Sequence, residues 1–379
     1  MTDDASPEMA AAAQRELADA VRLSLVPGVG PRTRQKLLGR FGSPAAVLAA
    51  APSDVRATEG VGPKLSERIA AAPREIDAEA EIALCRQHGI AILTDTDPQY
   101  PRMLREIADP PGLLFVRGQL RPEDALAIGI VGTRHGTPYG LRLAERLAAS
   151  LARSGLTIVS GLARGIDAAA HRGALEAGGR TLGILASGVL SIYPPEHVAL
   201  AEQVAAHGAL VSEQPCRSAP LAGTFPQRNR LISGLALGVI VVEAGDRSGA
   251  LITARHAMEQ GRDVFAVPGN VDSRSSRGCH RLLRDGAILV ESADDVLEHL
   301  GPLVEAVPRE DGRTVHHPAE LLLNEVEQKV LEAVRGEATS IDEIVARSGL
   351  GVPQVLSTLS ILEMRHLLRR LSGTTVLRI

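Results

Sequence analysis

Four short segments carry residue types suited to holding phosphate. FPQRNR places Phe225, Arg228, Asn229 and Arg230 within six residues. RSGA supplies Arg247, Ser248 and Gly249 at the start of an amphipathic pattern. SGLARGID contributes Ser160, Gly161, Arg164, Gly165 and Asp167, and GIVGTR ends on Gly132, Thr133 and Arg134. Arginine presents a planar fork of donors that matches phosphate oxygens. A Gly/Ser turn between a strand and a helix points backbone N–H groups and the helix dipole at a bound anion. The segments read as the floor of a pocket for a phosphate backbone. An ordinary α/β core with surface arginines is the plainer alternative.

Residues for other chemistry are sparse. Cys85, Cys216 and Cys279 are odd in number and far apart, with no CxxC or Cys/His ligand spacing. Neither a disulfide framework nor a metal site is expected from them. Gly129, Gly132 and Gly136 miss the GxGxxG spacing and no Walker A motif is present, so no nucleotide cofactor and no ATPase activity are expected. Net charge is −4, whereas nucleic-acid binders usually carry a basic domain. Positive charge must therefore be focused locally. Residues 223–284 do this, with nine Arg against five Asp or Glu.

The elements that must position these groups follow from periodicity. Near-continuous apolar runs at 126–131, 156–160, 181–186, 209–212, 239–243, 263–267 and 287–290 read as strands, most of them separated by helical patterns. That alternation indicates a parallel sheet covered on both faces. Small, polar and arginine residues follow the strands, which puts them on the C-terminal rim where such sheets bind ligands. With aromatics at 2% and no Trp, the core must be built from Leu, Val, Ile and Ala, and each Phe or Tyr draws notice.

The flanks read as separate units. Residues 1–20 form a polar tail or frayed helix. Two Gly-Val-Gly-Pro units, 32 residues apart, each precede a helical stretch within residues 21–85. This is the shape of paired helix-hairpin-helix units, with glycines for the tight turn and Pro in the first helical turn. Residues 86–300 hold the sheet domain and 301–318 a linker. In 319–379, three helical patterns precede a two-stranded wing. The third helix of that unit has only Arg365 and His366 as basic residues, at its far end, which suits protein contact better than major-groove reading. The acidic N-terminus lacks a signal pattern and no run approaches a membrane span, so a soluble cytoplasmic protein is expected.

The central block resembles the DprA/Smf family of DNA-processing proteins. The residues that carry the match are 129–134 (GIVGTR), 160–171 (SGLARGIDAAAH), Tyr193-Pro194, 225–234 (FPQRNRLISG), 247–254 (RSGALITA) and 261–269 (GRDVFAVPG). The resemblance implies an α/β fold. Its core is an extended Rossmann-like, doubly wound, mostly parallel sheet, with a helix-hairpin-helix (SAM-like) domain before it and a winged helix after it. It further implies a non-enzymatic protein that binds single-stranded DNA, forms a homodimer and loads RecA onto the strand, as in natural transformation. Carried over by position, Gly132, Thr133, Arg134, Ser160, Gly161, Arg164, Gly165, Arg228, Asn229, Arg230, Arg247, Ser248 and Gly249 would meet phosphate. Phe225 would stack on a base, and Asp167 and His171 would brace the loop. Met258, Val264, Phe265, Val267 and Val271 would lie at the dimer interface. Some members place a lysine after the Tyr-Pro pair, where this chain has Pro195.

Two other functions fit parts of the pattern. Nucleotide-binding phosphoribohydrolases share the Rossmann-like class, but residues 244–253 lack the glutamate that those enzymes carry after their glycines. A structural duplex-DNA protein would act through the hairpins or the winged helix.

Overall fold

A computed structural model describes residues 7–301, 303, 306–308, 312 and 314–378. The first six residues of the expected tail, and several of the expected linker, lie outside the described residues. The tail's remainder is helical: α1 (Pro7–Leu25) packs Ala18 and Val21 against Ala78 and Ile82 of a later helix. Helices α2 (Pro31–Phe41), α3 (Pro44–Ala49), α4 (Pro52–Arg56), α5 (Pro63–Glu75) and α6 (Ala78–Gln87) complete the N-terminal unit. Its two hairpins repeat at backbone level. Gly28 and Gly60 both take positive φ (104° and 84°), a conformation that costs glycine little. Gly30 and Gly62 then cap α2 and α5 with the same extended geometry. Of the basic residues near the hairpins, Arg34 is turned inward onto Asp95 at 2.8 Å and Lys36 pairs with Glu59 at 2.9 Å.

The central domain is built on one nine-stranded sheet. Its strands are β1 (Ile90–Thr94), β2 (Leu113–Gly118), β3 (Ala127–Val131), β4 (Thr157–Ser160), β5 (Thr181–Ile184), β6 (Gly208–Ser212), β7 (Gly238–Val241), β8 (Asp263–Ala266) and β9 (Ile288–Leu289), in the order β1-β2-β6-β5-β4-β3-β7-β8-β9. From β6 to β9 every neighbouring pair is parallel. β2 joins β6 antiparallel, and β1 joins β2 antiparallel. The chain runs outward from β3 to β4, β5 and β6, then returns to the other side of β3 as β7. The strand order therefore reverses at β3, and a crevice opens there at the strands' C-terminal ends.

The helices of this domain are α7 (Arg102–Arg105), α8 (Pro138–Arg153), α9 (Ile166–Glu176), α10 (Val198–His207), α11 (Thr224–Gly234), α12 (Ala250–Glu259), α13 (Arg277–Arg284) and α14 (Ala293–His299). Two apolar layers cover the sheet's two faces, one centred on Val159, Leu182 and Val239, the other on Ile128, Ile158 and Ile240. Small residues let α8 and α9 approach closely: Ala144, Ala148, Ala169 and Ala170 are all buried between them and the sheet. Residues 301–318, expected as a linker, instead pair Val307–Pro308 with Thr314–Val315 and bury both valines against the second layer. The C-terminal unit holds α15 (Glu325–Ala333), α16 (Ile341–Ser348), α17 (Val352–Met364) and a wing, Leu368–Ser372 against Thr375–Arg378. Among the described residues no helix is long and apolar enough to cross a membrane.

His171, expected to brace a rim loop, lies deeper. Its Nδ1 is 2.7 Å from Thr181 Oγ1, whose hydroxyl donates to the Ile158 carbonyl. It thus ties α9 to β4 and β5. Burial pushes its pKa down from 6.5 to about 3, with the nearby Arg228 adding to the effect. The unfolded chain takes up this proton more readily than the folded one. Stability from neutral His171 is therefore complete above pH 6.5 and lost as pH falls toward 3. Urea unfolding at pH 4.5 and pH 7 should show wild type losing about 2–3 kcal/mol more than His171→Gln between the two conditions. Equal losses would place the acid sensitivity elsewhere.

Candidate nucleic-acid interface

At the strand-order reversal lies a cleft of about 700 Å³. Loops after β3, β4 and β7 and one face of α11 form its walls. It gathers Gly132, Thr133, Arg134, Asp167, Phe225, Arg228, Asn229, Arg247, Ser248 and Gly249 from four separate stretches of the chain. Ser160, Gly161, Arg164, Gly165 and Arg230 are not among its lining residues.

FPQRNR is the first turns of a helix rather than a loop. That geometry sorts its side chains. Phe225, Arg228 and Asn229, at i, i+3 and i+4, share the cleft face. Arg230 is turned about 200° from Arg228 around the helix axis. It is buried, donating from Nη2 to Glu213 at 2.8 Å and from Nε to Asp109 at 3.2 Å. Its expected phosphate contact is therefore corrected: Arg230 fastens α11 to the antiparallel side of the domain.

Arg228 enters the cleft from below and is only 5% exposed. Its Nη1 donates to the Ile184 carbonyl at 2.7 Å, and its Nε finds no acceptor among the described residues. A Cβ at Gly161 would collide with this guanidinium, so the glycine makes room for Arg228 rather than for phosphate. Burial lowers its pKa to about 10, against the opposing field of Asp167, and it stays charged at neutral pH. Asp167 accepts from the Gly161 and Ala163 amides at 3.1 and 3.4 Å, which fixes the turn after β4. Burial raises its pKa, and Arg228 counters the rise.

Several rim donors are already committed within the protein. Ser160 is buried and donates its hydroxyl to the Ile130 carbonyl at 2.6 Å, so it is removed from the expected phosphate set. Gly161 drops out for the same reason, since its amide serves Asp167. Gly165 takes positive φ to pass close beneath Thr133 and Arg134, where a Cβ would strike the Thr133 carbonyl. In the turn before α12, the Ala250 amide donates to Ser248 Oγ and the Leu251 amide to the Ser248 carbonyl. The N-terminus of α8 holds a carboxylate of the protein itself. Glu243, at the end of β7, accepts from the Thr137 amide at 2.9 Å and the Thr137 hydroxyl at 2.6 Å. Its buried position past the last strand residue carries no sequence signal that separates it from a catalytic acid.

What remains for a ligand is unneutralised charge and ring faces. No carboxylate stands within ion-pair distance of the exposed Arg134 or Arg247 among the described residues. The Arg134 guanidinium lies 5.3 Å from the centre of the Phe225 ring. Phe225 meets Tyr193 edge to face, with centroids 5.7 Å apart, and Arg164 stands 5.9 Å from the Tyr193 ring centre. Arg164 is also paired with Glu196. The result is a continuous row, Arg134–Phe225–Tyr193–Arg164, running out of the cleft. Tyr193 had no role assigned from sequence, and its signal there was the rarity of aromatic residues.

The expected dimer residues divide. Val264, Phe265 and Val267 are buried in the fold's own core, because β8 lies between β7 and β9 with both faces covered. They cannot form an interface. Met258 and Val271 are exposed, at 50% and 79%.

A doubly wound sheet with an arginine cleft at its switch point, flanked by a hairpin tandem and a winged helix, defines a DNA-processing protein. Known proteins agree. The family model for DNA recombination-mediator protein A matches residues 91–301. A DprA winged helix domain matches 316–374, and a SAM-like helix-hairpin-helix tandem matches 21–75. The Smf protein of Synechocystis is 36% identical over 92% of this chain and 96% of its own length. That of Escherichia coli is 38% identical over 80% and 82%. The solved structure of DprA from Streptococcus pneumoniae superposes with a TM-score of 0.65 at 36% identity, covering 74% of this chain and 96% of that one. DNA processing protein A from Helicobacter pylori, solved for its single-stranded DNA binding mode, gives 0.50 at 30% identity, covering 55% and 93%. The chain belongs to the DNA recombination-mediator protein A family, DprA/Smf.

Removing one charge and one ring should separate two contributions to DNA binding. Arg134→Ala should weaken binding and flatten its salt dependence by roughly 0.7 per lost phosphate contact. Phe225→Ala should cost about 1–3 kcal/mol and leave the salt slope unchanged. Fluorescence anisotropy at several salt concentrations reads both. Circular dichroism checks that Phe225→Ala stays folded, since loss of fold would make this ring a core plug.

Proposed function

We propose that this protein binds single-stranded DNA in the cleft at the ends of β3, β4 and β7 and hands the strand to RecA. The observation that carries this reading is the pairing of arginines that stand outside any ion pair among the described residues with a half-buried ring on the cleft wall. Arg134 and Arg247 face solvent without acidic partners among the described residues, above the buried charge of Arg228, and Phe225 stands on the same wall. Guanidinium groups hold the backbone without reading sequence, and an aromatic face accepts any base. A duplex hides its base faces in the stack, so the same row favours single strands. Asn229, Ser248, Gly249, Gly132 and Thr133 shape the phosphate track between the arginines. The family relation and the Helicobacter pylori relative's single-strand binding mode support the reading.

The protein acts without covalent chemistry in this account. Asp167 is tied to two amides and Glu243 to Thr137, which leaves neither poised over the cleft as a general acid or base. Homodimerisation through the surface around Met258 and Val271 would place two clefts on one strand and raise its effective affinity. Work in the cytoplasm during recombination or natural transformation follows from the RecA partnership. The hairpins and winged helix serve accessory contacts, to duplex DNA or to protein. Arg365 is held by Glu327 at 3.1 Å, and α17 exposes Val352, Leu356 and Met364 instead of basic residues.

The reading is tested by titrating labelled oligo-dT and a duplex of equal length, then by following RecA filament growth on strands coated with single-strand-binding protein. Tighter binding of oligo-dT and faster filament growth, both lost in Arg134→Ala, are expected. Duplex binding as tight as single-strand binding, unaffected by Arg134→Ala, would move function to the flanking domains. Release of free base from nucleotides by the pure protein would make it an enzyme.

A further inference from the structure

Two of the three cysteines, far apart in sequence, meet in space. Cys85 lies in the last turn of α6 and Cys216 in the segment between β6 and α11, 131 residues later. Their sulfurs are 3.2 Å apart. Both are buried, at 1% and 0% exposure, among Ile90, Phe115 and Leu210. Glu81, one turn earlier on α6, accepts from the Cys216 amide at 2.7 Å and pins that backbone to the helix. On the other side, the Leu190 amide donates to the Cys216 carbonyl at 2.8 Å. The segment also passes so close to Gly188 that a Cβ there would strike the Pro215 and Cys216 carbonyls. Neither thiol is free to drift away. Cys279 is buried elsewhere, with its sulfur 3.5 Å from the Val241 carbonyl.

A metal is the weaker reading of this cluster. It offers two sulfurs and one carboxylate oxygen within 4.8 Å of one another, and that carboxylate already holds the Cys216 amide. Structural zinc takes four Cys or His ligands.

We propose that Cys85 and Cys216 are a dithiol site that closes to an intramolecular disulfide on two-electron oxidation by a small peroxide. Cys85 releases its proton, its thiolate attacks one peroxide oxygen, the O–O bond breaks, and the departing hydroxide takes up that proton, so that Cys85 sulfenic acid and one water result. The Cys216 sulfur then attacks the sulfenic sulfur, the S–O bond breaks, and the hydroxyl leaves with the Cys216 proton as a second water. The sum is two thiols and one hydrogen peroxide giving one disulfide and two waters. Cys85 is taken as the attacking group because the hydrogen bond between the two thiols, in which either sulfur can donate, lowers the Cys85 pKa and raises that of Cys216. The bond would staple the last N-terminal helix to the strap that leads directly into α11, the helix carrying Phe225 and Arg228. Closing so long a loop constrains the unfolded chain strongly. The inference stands on the thiol geometry and is independent of DNA binding.

The test treats the full-length protein with hydrogen peroxide, then denatures it, alkylates free thiols and maps peptides by mass spectrometry. The expected product is a Cys85–Cys216 linked peptide about 2 Da lighter than its two thiol parts, the hydrogens lost on oxidation, with Cys279 still alkylated. The oxidised protein should melt at a higher temperature, and dithiothreitol should reverse this. Cys279→Ala should behave as wild type, and Cys216→Ala should give neither product nor shift. Peptide mapping of wild type decides the matter even where a variant folds poorly. Three alkylated thiols after peroxide, links between chains, or untreated thiols shielded by zinc until a chelator is added would each overturn the proposal.

Discussion

A buried cation sets the terms for the rest of the cleft. Arg228 occupies the space that a side chain at Gly161 would need, holds the Ile184 carbonyl, and faces Asp167 from beneath the rim. An arginine held out of water is costly unless its charge is answered. Asp167 answers in part, but its carboxylate is also tied to two amides and its own ionisation is opposed by burial. The remaining positive potential reaches the cleft, where Arg134 adds to it. On the proposed reading, an anion above this floor would offset the cost and couple the stability of the fold's centre to occupancy of the site.

That arrangement explains why the cleft uses charge and rings rather than a cradle of backbone amides. The turns after β3, β4 and β7 all look like anion nests in outline. In each, some of the donors are engaged inside the protein, by Glu243 at α8, by Asp167 after β4, and by Ser248 at α12. On the proposed reading, arginine forks and a half-buried phenylalanine would then meet a ligand whose phosphates repeat and whose bases vary. The sheet's reversal at β3 places these groups together, and the close packing of alanine-rich α8 and α9 holds the rim in position.

The central strands were legible because strands covered on both faces leave continuous apolar runs, and because arginines and glycines followed them on one rim. Phe225 and Arg134 stood out for similar local reasons. What stayed hidden depended on partners distant in sequence or on the turn of a helix. Arg230 looked like Arg228 until α11 turned it toward Asp109 and Glu213. Ser160 and Gly161 carried the right residue types but were already engaged. Phe265 and Val267 lay in the expected interface segment, yet an interior strand has no free face. The pairing of residues 301–318 rests on two valines in a charged stretch, too few to show a period. Cys85 and Cys216 are joined only by tertiary structure.

The most direct test of the central claim is photocrosslinking of bromodeoxyuridine-substituted oligo-dT to the full-length protein, followed by peptide mapping. Adducts are expected on the peptide that carries Phe225, with Tyr193 as the neighbouring acceptor. Adducts confined to residues 21–75 or 319–379 would contradict it, because the strand would then bind the flanking domains and leave the arginine cleft empty.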